Sequence, residues 1–289
     1  MRYPFILQWS GQYSVKSLCR ILKVSRSGYY AWRDRPTSGR ATEEAQLVAS
    51  IKTAHKTSRQ TYGSPRVHKS LQAQGRLIGL NRVARLMRKH GIVGKHRRRF
   101  RRTTIVNPMD KWYRDVVNRH FRPAAPNKVW ASDITYLTTG EGMMYLAVVI
   151  DLYGRRVVGW AAQSYMTADL VIEALTAAIE LRRPQAGLVH HSDRGTQYAS
   201  KAYQELLRKH GMVSSMSEKG DCWDNAPVES FFSTLKNEID DLSNMTRRRT
   251  WQTLFEYIEI WYNRQRLHST LGYVSPAQHE ANVMQASKA

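Results

Sequence analysis

Cysteine is nearly missing from this chain of 289 residues, which has only Cys19 and Cys222. They lie too far apart for a local metal motif and are too few for a disulfide scaffold, so a zinc finger is excluded. Long apolar runs are missing too. The longest, Met143–Ile150, falls far short of the roughly 20 residues a membrane span needs. The start, Met1-Arg2-Tyr3-Pro4-Phe5-Ile6-Leu7, has too little apolar length for a signal peptide, so a cytoplasmic protein with no membrane partner is expected. No heptad pattern is sustained anywhere.

Acid is scarce in one half only. Residues 1–127 hold 28 Lys/Arg against 5 Asp/Glu, a net of +23, whereas residues 128–289 hold 17 against 18, a net of −1. The overall +22 therefore belongs to the N-terminal part, and an excess that stops partway along the chain is not a general solubility device. It points to a polyanionic partner, first of all nucleic acid. An apolar fraction of 42% leaves enough material for a real core.

The basic half reads as helical. Val15, Leu18, Ile21 and Leu22 share one helical face, and Ser25 reads as the cap of a short second helix, so residues 14–32 fit a helix-turn-helix or a plain helical hairpin. Leu47, Ile51 and His55 are again helix-spaced. Ser64 and Pro65 look like a cap and first helical position, and Gly75 a stop. Leu80-Asn81 opens a third helix, ended by Gly91, with Val83, Leu86 and Met87 on one face and Arg82, Arg85, Arg88 and Lys89 elsewhere. A helix of that kind suits a DNA groove or backbone, or is a solvated face. The run from Lys95 to Arg102 includes Arg97, Arg98, Arg99, Arg101 and Arg102, a phosphate-contacting pattern without sequence reading.

From residue 128 the pattern changes. Val129–Leu137, Met143–Leu152 and Arg156–Ala162 read as strands. A helix follows on Leu170, Val171, Ala174, Leu175, Ala178 and Ile179. Then come a short strand at Gly187–His191, a helix at Lys201–His210, a strand at Met212–Met216, and helices at Ala226–Ile239 and Trp251–Tyr262. Three strands followed by alternating helices and strands predict an α/β fold, a mixed five-stranded sheet with flanking helices. The expected domains are a helix-turn-helix-like segment over 1–45, a basic helical DNA-binding domain over 46–102, a linker over 103–124, a catalytic core over 125–245 and a helical extension over 246–289.

Three carboxylates stand out by position. Asp133 sits within the first strand, where burial without a partner is costly. Asp193 follows directly on a short strand, at the kind of strand end where ligand sites gather. Glu229 lies in the first turn of a helix whose stripe is Val228, Phe231, Phe232, Leu235 and Ile239, and Lys236 stands two turns further along. Converging carboxylates repel unless cations neutralise them, and hard oxygen ligands favour Mg²⁺ or Mn²⁺. Ordinary surface acids remain the plain alternative.

The strings around these residues are Trp130-Ala131-Ser132-Asp133-Ile134-Thr135-Tyr136, His191-Ser192-Asp193-Arg194-Gly195-Thr196-Gln197-Tyr198, Asp224-Asn225-Ala226-Pro227-Val228-Glu229 through Lys236, and Tyr262-Asn263-Arg264-Gln265-Arg266-Leu267-His268. Together, over nearly the whole chain, they resemble the B-frame transposases of bacterial insertion sequences, within the DDE integrase superfamily. The resemblance implies a ribonuclease-H-like core in which Asp133, Asp193 and Glu229 bind two Mg²⁺ (or Mn²⁺) ions, with Lys236 against DNA near the reacting end. It implies Mg-dependent strand cleavage and strand transfer of the element's ends by direct in-line phosphoryl transfer, the first joining typically linking the element's own two ends into a circle. Such enzymes work as homo-oligomers on DNA near the nucleoid, usually as a frameshift fusion with an upstream A frame, so an A-frame partner is expected and this chain reads as the catalytic half.

Asn225 is expected either to touch DNA or to cap its helix. Trp130, Tyr136 and Trp223 read as core or rim packing rather than base-stacking groups, and His190 and His191 as structural rather than as helpers near the metals. For Tyr262, Asn263, Arg266 and His268 only packing of the last helix against the catalytic core is expected.

Overall fold

In the computed structural model, residues 2–36, 38–95, 116–117, 121–217 and 225–286 are described. The chain divides into two compact units, Met1–Ala54 and His55–Ala289. In the first, α1 (Arg2–Trp9), α2 (Val15–Ile21) and α3 (Arg26–Arg33) pack around Ile6, Leu18, Cys19 and Tyr29. The pattern had not marked α1. It is eight residues long with Pro4 in its first turn, where the missing N–H is harmless but no amphipathic repeat can develop. Helix α4 (Gly39–Thr57) carries the chain across the division.

The second unit continues with α5 (Ser64–Ala73) and α6 (Leu80–Lys89), which pack on each other and bury Val67, Leu71, Val83, Leu86 and Met87. The expected cap is one residue off. Gly63 is the extended N-cap, and Ser64 is already helical with Pro65 behind it. Gly75 (φ 79°) and Gly91 (φ 63°) end the two helices in the left-handed region, as the spacing predicts.

The sheet is built from β1 (Val129–Thr139), β2 (Gly142–Asp151), β3 (Arg156–Gln163), β4 (Val189–Ser192) and β5 (Val213–Met216), in the order β3-β2-β1-β4-β5. The first three strands are antiparallel, and β4 and β5 run parallel to β1. Strand β2 is buried continuously from Leu146 to Asp151, so it has no polar face to alternate with its apolar one.

Helix α7 (Ala168–Arg182) covers the sheet with Leu170, Val171, Ala174, Leu175, Ala178 and Ile179, each side chain larger than Ala contributing roughly 1.5–3 kcal/mol. It lies very close to β3. A Cβ at Gly159 would stand 2.2 Å from the Ala174 carbonyl oxygen. Helices α8 (Thr196–Ala199) and α9 (Lys201–Lys209) add Tyr198, Tyr203 and Leu207 to the same core.

After α10 (Ala226–Glu238) comes α11 (Arg247–Phe255), started early by Thr246, whose hydroxyl caps the Arg249 N–H at 3.2 Å. A π-helical stretch over Glu256–Tyr262 continues it, and α12 (Pro276–Ala286) closes the described chain. Among the described residues no helix is long and apolar enough to cross a membrane.

The segment Tyr262–His268 is a junction. The Asn263 amide accepts from Val157 N–H (3.0 Å) and donates to Val157 C=O (2.9 Å), serving the edge of β3 as a neighbouring strand would. Leu267 N–H donates to the Tyr62 hydroxyl at 2.6 Å, and the Arg66 guanidinium on α5 donates to Leu267 C=O at 3.0 Å. Arg266 pairs with Glu238 at the end of α10. The motif therefore ties the α5 region, the sheet and α10 together, a fuller role than packing of one helix.

Candidate active site

Register puts two of the acids side by side. The last pairs between β1 and β4 are Ala131 with His191 and Ser132 with Ser192. Asp133 on β1 and Asp193 just past the end of β4 are the residues next in line, beyond a pairing in which neighbouring strands lie about 4.8 Å apart. Strand β4 ends there, while β1 continues to Thr139, so a step opens beside Asp133 at the C-terminal end of β4. Such ends of parallel strands are where sites form in α/β sheets.

Asp133 Oδ1 accepts from Ile134 N–H at 2.7 Å, and Asp193 Oδ1 from Gly195 N–H at 2.9 Å. Burial pushes the Asp133 carboxyl well above the usual carboxylate range, and the neighbouring charges of Asp193 and Glu229 push the same way. The Ile134 N–H and Lys236 oppose them. Asp193 is also raised, by burial, against the Gly195 N–H. Glu229 is exposed on the first turn of α10, within electrostatic reach of Asp133.

Asn225 brings α10 to this place. It occupies the N-cap position but makes no side-chain cap bond. Its Nδ2 instead donates to Ser132 C=O at 3.0 Å, one residue before Asp133. The amide is buried, so Asn225 holds the helix start against β1. Val228, Phe231, Phe232, Leu235 and Ile239 are all buried, as their spacing predicts. Two turns after Glu229, the Lys236 ammonium lies 4.6 Å from the centre of the Tyr136 ring. Burial lowers its proton affinity, and Asp133 works against that. Tyr136, expected in the core or rim, is half exposed. With Lys95, Leu137, Lys236 and Asn237 it lines a cleft of about 770 Å³.

The histidines belong to the frame. His190 is buried with Nε2 2.9 Å from Ser132 Oγ and 3.1 Å from the Tyr203 hydroxyl, and burial, then His191, lower its pKa to about 3. His191 Nδ1 lies 3.0 Å from Ser215 Oγ on β5. Trp130 is fully buried in the core. Arg85 is exposed and Arg82 half-buried on α6. Arg97, Arg98, Arg99, Arg101, Arg102 and Trp223 lie outside the described residues.

The donor chemistry at Asp133, Asp193 and Glu229 is oxygen only, and the raised proton affinity of the two aspartates is what uncompensated negative charges in a low-dielectric place produce. Both properties fit a hard divalent cation. Asp133 feels the charges of both Asp193 and Glu229, but the three carboxylates are not drawn into a ready-made ligand set. Among the described residues, no three His, Cys, Asp or Glu side chains stand close enough to hold an ion.

Sequence reasoning missed Glu238, an acid on the buried side of α10. Its position between Leu235 and Ile239 on the apolar stripe was the available signal.

Residues 123–222 and 210–276 match two families, each described as an integrase core domain, and residues 42–100 match an HTH-like domain. The transposase InsF of insertion sequence IS3A from Escherichia coli is 41% identical over 283 residues, covering 97% of this chain and 98% of InsF. A 31 kDa protein of insertion element IS600 from Shigella sonnei is 43% identical over 261 residues, covering 90% of this chain and 96% of its own length. Among solved structures, the HTLV-2 integrase catalytic core domain in complex with magnesium aligns with a TM-score of 0.44 at 20% identity, over 55% of this chain and 99% of that one. With InsF matched almost end to end and two integrase-core families lying over the sheet, α10 and the junction, the chain belongs to the integrase-core transposases of bacterial insertion sequences.

Proposed function

We propose that this transposase cuts and joins DNA strands at the ends of an insertion element, using Asp133, Asp193 and Glu229 to hold divalent magnesium or manganese, two ions per site. The observation that carries the reading is the register of Asp133 beside Asp193 at the end of β4, with Glu229 raising the proton affinity of Asp133 from α10. When bound, such ions supply charge neutralisation and Lewis acidity for in-line displacement at a phosphodiester.

The chain's own groups place the DNA. Asn225 fixes the start of α10, whose first turn carries Glu229. Lys236, leaning on Tyr136, offers its ammonium to a phosphate beside the reacting bond, along the cleft that begins at Lys95. In the first step a water oxygen forms a bond to phosphorus, the bond to the 3′ oxygen breaks, and that oxygen leaves as a hydroxyl carrying a proton. In the second step that hydroxyl attacks another strand, first at the element's opposite end and later at the target, with no covalent protein intermediate.

Arg82 and Arg85 meet a DNA groove or backbone, and the run Arg97, Arg98, Arg99, Arg101 and Arg102 contacts phosphates without reading sequence. Handling two ends together requires two active sites, hence a homo-oligomer on DNA, working with an A-frame partner or fusion.

The test uses labelled duplexes carrying the element's terminal repeats, the full chain and Mg²⁺. Joined strands are expected beside nicks, and none from Asp193→Asn, whose duplex binding should persist. Joined products from Asp193→Asn would overturn the assignment, and nicks alone from the native chain would leave a nuclease.

A further inference from the structure

The HTH-like family match begins at residue 42, after α1, α2 and α3 have formed a core of their own. The turn between α2 and α3 is held in a defined shape. Lys23 is left-handed (φ 52°), its N–H bonds to Arg20 C=O at 3.3 Å, and Val24 N–H bonds to Cys19 C=O at 3.0 Å, the paired closure of a Schellman motif. Val24 packs back on the core that contains Cys19. One residue later Ser25 Oγ accepts from Gly28 N–H at 3.0 Å and starts α3. Four residues, Leu22 to Ser25, thus end one helix and begin the next, the connection of a helix-turn-helix. A loose helical hairpin has no need of both closures.

Helix α1 braces the inner side of α3. A Cβ at Gly28 would stand 2.6 Å from the Tyr3 hydroxyl oxygen and 2.7 Å from Ser25 Oγ, so Tyr3 reaches α3 where glycine leaves room. Tyr29 is buried and Trp32 packs on the core, which turns Arg26, Ser27 and Tyr30 outward. The Arg33 guanidinium lies over the Tyr30 ring at 4.8 Å and pairs with Asp34, steadying that ring. Lys16 and Arg20 on α2 are exposed as well. Residues 1–36 hold seven Lys/Arg (Arg2, Lys16, Arg20, Lys23, Arg26, Arg33, Arg35) against one acid, Asp34, a net of +6.

We propose that the first unit is a second DNA-binding module, distinct from the α5–α6 pair, in which α3 enters the major groove of duplex DNA and Arg26, Ser27 and Tyr30 read base edges while Lys16 and Arg20 hold the phosphate backbone. An exposed guanidinium at the start of such a helix matches the paired acceptors of guanine, and a hydroxyl beside it can meet any base. The occupant is duplex DNA because the outward face sets Lys16, Arg20 and Arg26 beside Ser27 and Tyr30, cations and hydroxyls that complement phosphates and base edges. The inference rests on DNA being the substrate, not on the metal chemistry.

The test selects bound duplexes from a random-sequence pool with the full chain in a chelator, where no strand chemistry runs. The native chain should enrich a defined sequence. Arg26→Lys keeps the charge but loses the forked geometry. It should lose about tenfold in affinity at the enriched sequence and less than about threefold on unselected duplex. The combined variant Lys16→Ala/Arg20→Ala should weaken both duplexes alike and flatten the salt dependence. All these residues are exposed, and thermal melts matching the native chain confirm the fold. Failure of the native chain to enrich any sequence, or the same enrichment and affinity in Arg26→Lys, overturns the proposal. Loss of strand joining in Asp193→Asn has no bearing on it, so the two readings fail separately.

Discussion

Arg266 grips Glu238 with Nε and Nη2 at 2.7 to 3.0 Å, both side chains almost wholly buried, and the Tyr257 hydroxyl and Trp261 indole N–H complete the carboxylate's shell at 3.1 and 3.2 Å. The pair joins the end of the helix that carries Glu229 and Lys236 to the Tyr262–His268 junction. Breaking it from one side leaves a buried charge unmatched, which costs about 3–5 kcal/mol. Arg266→Met should therefore lower the urea midpoint strongly, and Arg266→Met with Glu238→Met should recover much of the loss. A double variant no more stable than the single one would mean that the loss does not come from a stranded buried charge.

The same pair gives an acid limb to stability. Burial works to raise the Glu238 pKa, but hydrogen bonds and charge from Arg266, helped by Trp261 and Tyr257, leave it lowered. A depressed carboxylate contributes stability above its unfolded pKa of about 4.3, and the contribution disappears as pH falls through the lower folded value. Denaturation midpoints measured between pH 5 and pH 3 should fall less steeply in Glu238→Gln than in the native chain.

Histidine adds a second limb at higher pH. Burial, then the charges of Arg266, Arg155 and Arg66, lower the His268 pKa to about 4. The unfolded chain binds that proton near pH 6.5 and the folded chain does not, so stability falls as pH drops from about 6.5 towards 4, with a slope of at most about 1.4 kcal/mol per pH unit for one proton. His190, held near 3, contributes in the same sense. His268→Asn should flatten the slope between pH 7 and pH 5 in denaturant titrations. An unchanged slope would assign it to other groups.

Asn225 is placed to affect chemistry more than binding. Asn225→Ala removes the bond to Ser132 C=O, leaves a buried acceptor without its donor at a cost of about 1–3 kcal/mol, and releases the start of α10. Joined product should fall at least tenfold while duplex affinity changes less than threefold. Equal losses in both would make Asn225 a DNA contact after all.

At Gly159 the effect is steric. A methyl group there meets the Ala174 carbonyl oxygen and Ala178, so Gly159→Ala must push α7 away from β3. A loss of roughly 1–3 kcal/mol or more in folding free energy is expected from chemical denaturation, against little change for Gly11→Ala, where the space is open.

Much of the architecture could be read from residue pattern. The continuous apolar run of β2 announces a strand covered on both faces, and the spacing of Leu170, Ala174, Leu175 and Ala178 announces a helix against it. The three carboxylates stand out because an acid inside a strand, just after a strand and in a helix's first turn are unusual positions. Short or chemically plain elements were hidden. Helix α1 is too brief for periodicity, and α12 is held by Glu280 pairing with Arg156 and Arg182, a contact across more than 90 residues of chain. The surroundings of Asn225 and Tyr136 were not legible, because the same amide or ring can face water or protein, and only its neighbours decide.

Local order is what the sequence by itself determined: the strands and most of the helices, the separation of a basic helical half from a neutral α/β half, and the candidate acids, because all of these follow from short-range periodicity and composition. Tertiary structure alone decided which side chains meet. That Asp133 stands level with Asp193 depends on the register of β1 against β4. That Glu238 meets Arg266, and Asn225 the carbonyl of Ser132, depends on chain segments 28 and 93 residues apart folding to the same point. Such contacts arise from packing over long loops, where the cost of closing the chain is met only by the whole core, and no local pattern records them.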